Sequence, residues 1–532
     1  MQKVIIIGVD GATLDLLEPW MDAGKLPTFD KIRKKGTYGT LYSTTPCYSA
    51  PAWVSIVTGC NPGKHGIYDF FRTDSFSKRL VSSRYRKAPA IWNYLTDIGK
   101  KSIIVNVPGT YPPEKIDGVM ITGLLTPSPE SEFTHPKKIK DDLVDGKLGN
   151  YELEQVAVDD LPKNLYAQYA PEKLVEKVNT LTISHTTVAL NLMKTHDWDL
   201  SMVVIRGTDD AQHLLWDKKD LILSCYQKAD EYIGKIMKEF PDAFVIIVSD
   251  HGFDKPQKYL YANNVLYNTG YLKTLSDPNY NLNNLMMTVF DKISRLLFHL
   301  FPMEKLARSS FGRKLILSGD GSKNIDFSQT KALYHSVCSR GIRILLKDKY
   351  EQGIVSKEEY EKLREELIKM FLELKDSKTG EKIIKTVHRW EDIYGKNAVN
   401  DPLDLILDLE PRYGVQEYLR SPEGLRHALQ SKNKPLSYLS PPGFYDWMGD
   451  HAPEGIIFMY GKDLKANKRI SASVMDIVPT ALAVLNIPIS DFIDGAVIED
   501  AFSRPPIYKK VSRGTLLSKT EMKRIKDLQS KL

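Results

Sequence analysis

Residues 48–70, YSAPAWVSIVTGCNPGKHGIYDF, hold a serine placed where it could do chemistry. Ser49 stands just before Ala50-Pro51, and an apolar, helix-like run at 53–57 follows at once. A hydroxyl at a helix N-terminus lies among free N–H groups and the positive end of the helix dipole, which together favour an anion such as phosphate. The same pattern also makes an ordinary helix cap or turn. The decision therefore rests on what the rest of the chain brings to that serine.

Acids and histidines recur at the ends of strand-like runs. Asp10 follows the apolar run at 4–9, Asp209 follows 200–205, and Asp250-His251 follows 244–248. Ligands of open parallel sheets gather at the C-terminal ends of strands, so these acids share one expected edge. Asp10 could equally cap a helix beginning near Thr13. His213 comes four residues after Asp209, a spacing that puts both on one helix face and suits two ligands of one metal ion or a plain surface pair. Two divalent cations about 4 Å apart need roughly six or seven ligands from several strand ends. The chain offers Asp10, Asp209, His213, Asp250, His251 and His451, with Ser49 as the group such ions would ionise.

The elements that must position these residues alternate. Helix is expected at 26–35, strand at 37–43, a helix after Ser49, helix at 90–95, and strands at 102–107 and 119–124. A long amphipathic helix over 171–194 precedes the strand at 200–205, and a helix over 221–240 precedes the strand at 244–248. This is the pattern of an α/β fold, a doubly wound, mostly parallel sheet with helices on both faces. The alternation lapses between 253 and 441, where an inserted cap is expected. Within it, Met286, Val289, Phe290, Ile293, Leu297 and Leu300 recur at helical spacing, with Arg308, Arg313 and Lys314 nearby; a core-packed helix and a membrane-surface or partner-binding helix both suit them. A capping box from Ser356 to Glu359 opens a helix to about 374, and strands are expected at 341–346 and 403–409. The core resumes at 443–451, with a strand at 455–460 and a helix opened by Asp476 with Pro479 in its first turn. The domains expected are a core of 1–254 and 441–532 and an inserted segment of 255–440. The basic run at 519–531 reads as a solvated helix face.

Composition excludes some classes. The 532 residues, 42% hydrophobic and 26% charged, suit a large α/β domain with an insertion. A net charge of +6, from 73 basic and 67 acidic residues, gives no argument for nucleic acid. Cys47, Cys60, Cys225 and Cys338 lack CxxC spacing, which argues against a zinc ribbon or disulfide framework and for buried free thiols. The strand-like run at 4–9 leaves no room for a signal peptide, so a cytoplasmic location is expected, and no apolar run is long enough to span a membrane.

Taken together, GVDG, S-x-P with SIVTGxNPxxHGI, TDxxxH, SDHG and a late GDH resemble the alkaline-phosphatase superfamily, most of all its type I phosphodiesterase/nucleotide pyrophosphatase branch. The match covers residues 1–254 and about 443–494, in order. The resemblance implies one metal held by Asp209, His213 and His451, and a second held by Asp10, Asp250, His251 and the nucleophile Ser49. The segment between resembles the cap of members described as predicted phosphohydrolases or phosphomutases. Threonine is the usual nucleophile of the nucleotide pyrophosphatases, and serine is chemically equivalent. Their phosphate-binding asparagine, in a DN pair after HGI, is replaced: Phe70 follows Asp69. Arg72, Lys64 or Arg206 could supply an anion contact instead. His65 of KHGI reads as a structural turn residue, and His185 and His427 take no role. Trp53 occupies the arginine position of the S-x-P-x-R sulfatase signature, which argues against a sulfatase.

The function expected is a two-metal phosphohydrolase that cleaves a phosphodiester or phosphomonoester of a small phosphorylated metabolite through a phosphoserine-type intermediate on Ser49. Zinc suits the mixed His/Asp set, and manganese is the alternative because carboxylates make up half of it. A phosphomutase using the same phosphoserine under a closing cap is the second reading. A phospho-ligand-binding protein without catalysis is the third.

Overall fold

The computed structural model describes residues 2–74, 79–154, 171–275, 325–417, 419, 436–440 and 449–512. The expected helix over 286–300 with its nearby basic residues, His427, most of the expected stretch at 443–451 and the basic run at 519–531 lie outside the described residues.

The first seven strands are β1 (Val4–Val9), β2 (Thr37–Tyr42), β3 (Ser102–Val107), β4 (Gly118–Thr122), β5 (Thr134–His135), β6 (Leu200–Ile205) and β7 (Phe244–Val248). Next come β8 (Gly252–Asp254), β9 (Lys258–Tyr261), β10 (Ala332–Tyr334), β11 (Gly341–Ile344), β12 (Ile384–Arg389), β13 (Leu405–Leu409), β14 (Tyr413–Gln416) and β15 (Leu439–Ser440). Late in the chain come β16 (Asp450–Ala452), β17 (Glu454–Tyr460) and β18 (Lys468–Ser473).

Nine of these form the central sheet, in the order β18-β2-β17-β7-β1-β6-β3-β4-β5. Strands β1, β3, β4, β6 and β7 run parallel, while β17 lies antiparallel between β2 and β7, and β5 is antiparallel at the far edge. Strand β1, VIIIGV, is buried throughout because both its faces are covered. Ile5, Ile7 and Val9 enter one core with the helices Leu14–Asp22, Pro27–Lys35, Pro171–Thr195 and Lys219–Glu239. Val4 and Ile6 enter the other, with Ser49–Thr58, Ile91–Asp97 and Ile477–Val484. Each fully buried isoleucine or valine contributes about 1.5–3 kcal/mol. The α/β sheet with helices on both faces is as the alternation of runs predicts.

Residues of the second layer form a four-stranded antiparallel sheet, β10-β11-β13-β12. The helix Lys357–Leu372 packs on it through Leu363, Leu367 and Phe371. That helix begins as its sequence predicts. Ser356 Oγ accepts the Glu359 N–H at 3.3 Å, while the Glu359 carboxylate accepts the Ser356 N–H at 3.2 Å. The expected cap at Asp476 acts a turn early. Its carboxylate accepts the N–H groups of Ser473 and Ala496, closing a 3-10 turn ahead of the helix Ile477–Val484.

Candidate metal centre and nucleophile

Parallel register aligns the strand ends that carry the acids. Val9 of β1 pairs with Ile205 of β6, and Gly8 pairs with Val248 of β7, so Asp10, Gly207–Leu215 and Asp250-His251 leave the sheet side by side. Strand β2 runs parallel to β7, with the antiparallel β17 between them, and so delivers Ser49 to the same edge. His451 arrives differently, on β16 just before β17 enters the sheet from that edge. Two glycines permit the close approaches. A Cβ on Gly8 would lie 2.3 Å from Trp53 Cη2, and Gly11, at φ +67°, makes the left-handed turn after Asp10.

Two buried groups result, Asp209 with His213 and His451, and Asp10 with Asp250 and His251, the ligand atoms of each lying within 4.8 Å of one another. His251 Nε2 stands 3.6 Å from Asp10, 3.2 Å from Asp250 and 3.9 Å from Asp209, linking the groups. Ser49 Oγ is 3.1 Å from the same nitrogen. Asp209 Oδ1 is 3.4 Å from both His213 Nε2 and His451 Nε2, which are 2.9 Å apart.

Each carboxylate has one oxygen held by the protein. Asp10 Oδ2 accepts the Trp53 indole N–H at 3.0 Å, Asp250 Oδ1 accepts the Gly11 N–H at 3.3 Å, and Asp209 Oδ2 faces Arg206 at 3.4 Å. The other oxygens, Asp10 Oδ1, Asp250 Oδ2 and Asp209 Oδ1, are buried and accept no hydrogen bond. Such atoms are costly unless a cation meets them. The histidines are set the same way. Nδ1 of His251 donates to the Gly252 carbonyl at 3.0 Å and Nδ1 of His213 to that of Gly449 at 2.9 Å, so in the neutral rings each Nε2 is an acceptor turned to the carboxylates. This donor set fits two divalent cations.

Electrostatics agree. Burial, then the charges of Asp250 and Asp209, push the Asp10 carboxyl well above its ordinary range. Burial raises Asp209 too, against the pull of Arg206. Burial and the neighbouring rings of His251 and His213 hold His451 well below the usual histidine range, favouring the neutral form that can ligate.

The remaining candidates are placed as follows. Arg206 joins the site from behind, pairing with Asp209, with Asp210 at 2.5 Å and with Glu154 at 2.9 Å. Lys64 is bound to Asp494 at 2.6 Å and Arg72 to Asp74 at 2.5 Å, both at the surface. His65 is a turn residue: Nδ1 accepts the Ile67 N–H and Nε2 donates to Ser55 Oγ at 3.0 Å. His185 is held by Asn106 and the Glu152 carbonyl. Asp10 is no helix cap, because its side chain turns to Trp53. Sequence reading missed Trp53, Glu154, Asp450 and Arg340. Asp450 accepts from the Tyr48 hydroxyl at 3.3 Å, and the Arg340 guanidinium lies 5.4 Å from the Tyr48 ring centre. Only the GDH triplet could have flagged Asp450.

A family model described as "Type I phosphodiesterase / nucleotide pyrophosphatase" matches residues 4–422. The chain belongs to this family. Type I phosphodiesterases and nucleotide pyrophosphatases are hydrolases acting on phosphoric ester bonds. The chain is 23% identical over 387 residues to human ectonucleotide pyrophosphatase/phosphodiesterase family member 1, covering 62% of this chain and 36% of that protein. It thus spans about a third of the length of that relative. The structure is similar to phosphonoacetate hydrolase from Sinorhizobium meliloti 1021 in complex with phosphonoformate, at 15% identity and TM-score 0.51 over 91% of this chain and 96% of that one. Human ectonucleotide pyrophosphatase/phosphodiesterase 5 aligns with TM-score 0.49 and 14% identity over 94% of this chain and 100% of that one. The fold is alkaline-phosphatase-like. Among the described residues no helix is long and apolar enough to cross a membrane.

Proposed function

We propose that this type I phosphodiesterase relative is a two-metal phosphohydrolase that cleaves a phosphodiester or phosphomonoester of a small phosphorylated metabolite, with Ser49 as nucleophile. The observation that carries the reading is the convergence of three hydrogen-bond-free carboxylate oxygens, of Asp10, Asp209 and Asp250, on the His251 Nε2, which itself stands 3.1 Å from the Ser49 hydroxyl. Asp209, His213 and His451 would hold one cation, and Asp10, Asp250, His251 and Ser49 the other, zinc fitting the mixed set and manganese being the alternative. When bound, the cations supply a lowered pKa for the serine hydroxyl and charge to offset the phosphoryl oxygens.

The chain's own residues do the positioning. The Ser49–Thr58 helix presents its first N–H groups beside the nucleophile, and Trp53 in its second turn fixes Asp10. Ser49 Oγ, its proton given up to solvent, attacks phosphorus in line. The Oγ–P bond forms as the bond from phosphorus to the ester oxygen breaks, and that oxygen takes a proton from water and leaves as the alcohol. A second water then cleaves the P–Oγ bond, releasing the phosphoryl product and restoring the Ser49 hydroxyl. Arg206 holds Asp209 from behind and offsets part of the charge of the acids.

We also propose that residues 255–440 form a cap on a core of 1–254 and 441–532. Contacts such as Ser336 Oγ donating to Asp69 and Arg343 donating to the Thr73 carbonyl tie the second layer to the loops that follow Ser49. Those contacts also favour a second reading, a phosphomutase that keeps water from the phosphoserine. We propose a cytoplasmic location as well, Cys47, Cys60, Cys225 and Cys338 forming no disulfide.

Metal-supplemented turnover of bis-p-nitrophenyl phosphate against p-nitrophenyl phosphate tests the reading. Diester or monoester cleavage that vanishes with chelation and returns with zinc or manganese supports it. Turnover indifferent to chelation contradicts it.

A further inference from the structure

The loop between β10 and β11 carries a cation that no carboxylate among the described residues pairs. Arg340 is 8% exposed, its Nε is buried without a hydrogen-bond partner, and its Nη2 reaches only the His451 carbonyl oxygen, at 3.5 Å. No carboxylate among the described residues forms an ion pair with it. Asp450 acts on it through space, while its carboxylate is engaged by the Tyr48 hydroxyl and the His451 N–H. Other buried arginines of the chain are treated otherwise. Arg343 pairs with Asp401 at 3.0 Å, and Arg364 with Glu391 at 2.8 Å.

A buried guanidinium offers five N–H donors in a planar fork, so leaving most of them unmade is costly, and the cost is tolerated where a ligand completes the set. The position is specific. Arg340 lies over the ring of Tyr48, the residue before the nucleophile, and against the backbone of His451, one of the metal-ligand candidates. Its backbone is held there at φ +46°, an uncommon conformation for a side chain of this size. The Leu407 N–H bonds its carbonyl at 2.8 Å, and Ser336 of the same loop is anchored on Asp69.

We propose that Arg340 binds a second anionic group of the substrate, a carboxylate or a further phosphoryl group beyond the one that reacts. The proposal rests on the phosphohydrolase reading for the placement of the reacting phosphoryl, and it names the substrate class: a phosphoester bearing a second negative charge. Arg340 would then be the contribution of the second layer to specificity.

The test is calorimetric titration of the metal-loaded protein with methylphosphonate, phosphonoacetate and methylenediphosphonate, which share one phosphonate and differ in the second anion. Wild type should bind one of the two doubly functional probes at least about tenfold more tightly than methylphosphonate, and which one tells carboxylate from phosphoryl. Arg340→Gln should shrink that preference to about threefold or less, and Arg340→Lys should retain part of it. Melting curves establish that each variant is folded; should Arg340→Gln fail to fold, the reduced preference of Arg340→Lys carries the test. A wild type without the preference, or a folded variant that keeps all of it, overturns the proposal. Because binding is read without turnover, the result stands apart from the phosphohydrolase reading, whose failure would show as no ester cleavage by wild type.

Discussion

The hydroxyl oxygen of Ser49 lies 3.1 Å from Nε2 of His251. That nitrogen is an acceptor because the opposite ring nitrogen donates to the Gly252 carbonyl, and it also faces Asp10, Asp250 and Asp209 within 3.9 Å. One imidazole thus joins the nucleophile to both groups of metal-ligand candidates. The buried acids around it repel one another without a cation, which makes the site a source of strain in the metal-free protein.

Asp10→Asn should therefore separate stability from metal binding. The substitution keeps an acceptor for the Trp53 N–H and removes a buried charge, so the metal-free variant should be more stable than metal-free wild type by about 1 kcal/mol. Its response to added zinc or manganese should shrink, whereas wild type at about 100 times Kd should gain about 2.7 kcal/mol. Thermal melts with and without metal check both; a less stable metal-free variant with an intact response would contradict the site.

Arg206→Met leaves Glu154, Asp209 and Asp210 without their shared cation. All are largely buried, so the loss should be about 3–5 kcal/mol. Urea unfolding measures it, and a change below about 1 kcal/mol, the range of exposed pairs, would mean that the ion pairs are solvated.

His65 sets a pH dependence away from the metal ligands. Burial, then the nearby Arg86 charge, hold its pKa down to about 3, against 6.5 ordinarily. The unfolded chain therefore binds the proton first, and the stability from neutral His65 is complete above pH 6.5 and is lost as pH falls from there toward 3. The slope should approach about 1.4 kcal/mol per pH unit in that window. His65→Gln should flatten it in melts between pH 6.5 and 4; an unchanged slope would place the proton uptake elsewhere.

Much of this was legible in the sequence, for reasons that particular residues show. Val4–Val9, Leu200–Ile205 and Phe244–Val248 are short β-branched runs, and an acid beyond each end is carried to one edge by parallel register alone. His451, offered as a ligand, had no strand-like run ending before it to place it, since it sits on β16 just before β17 enters the sheet in the opposite direction. Lys64 and Arg72, basic residues near Ser49 in sequence, turned out to serve Asp494 and Asp74. Arg340 was invisible because its neighbours, Tyr48 and His451, lie far away in the chain, and no local spacing encodes such a contact.

The most direct test of the central claim is turnover by Ser49→Ala together with its metal content. The variant loses only the hydroxyl, and the other six side chains of the site remain. It should keep divalent metal and lose at least about a thousandfold in kcat on any ester that wild type cleaves. Turnover within about tenfold of wild type, with metal bound, would contradict a phosphoserine on Ser49.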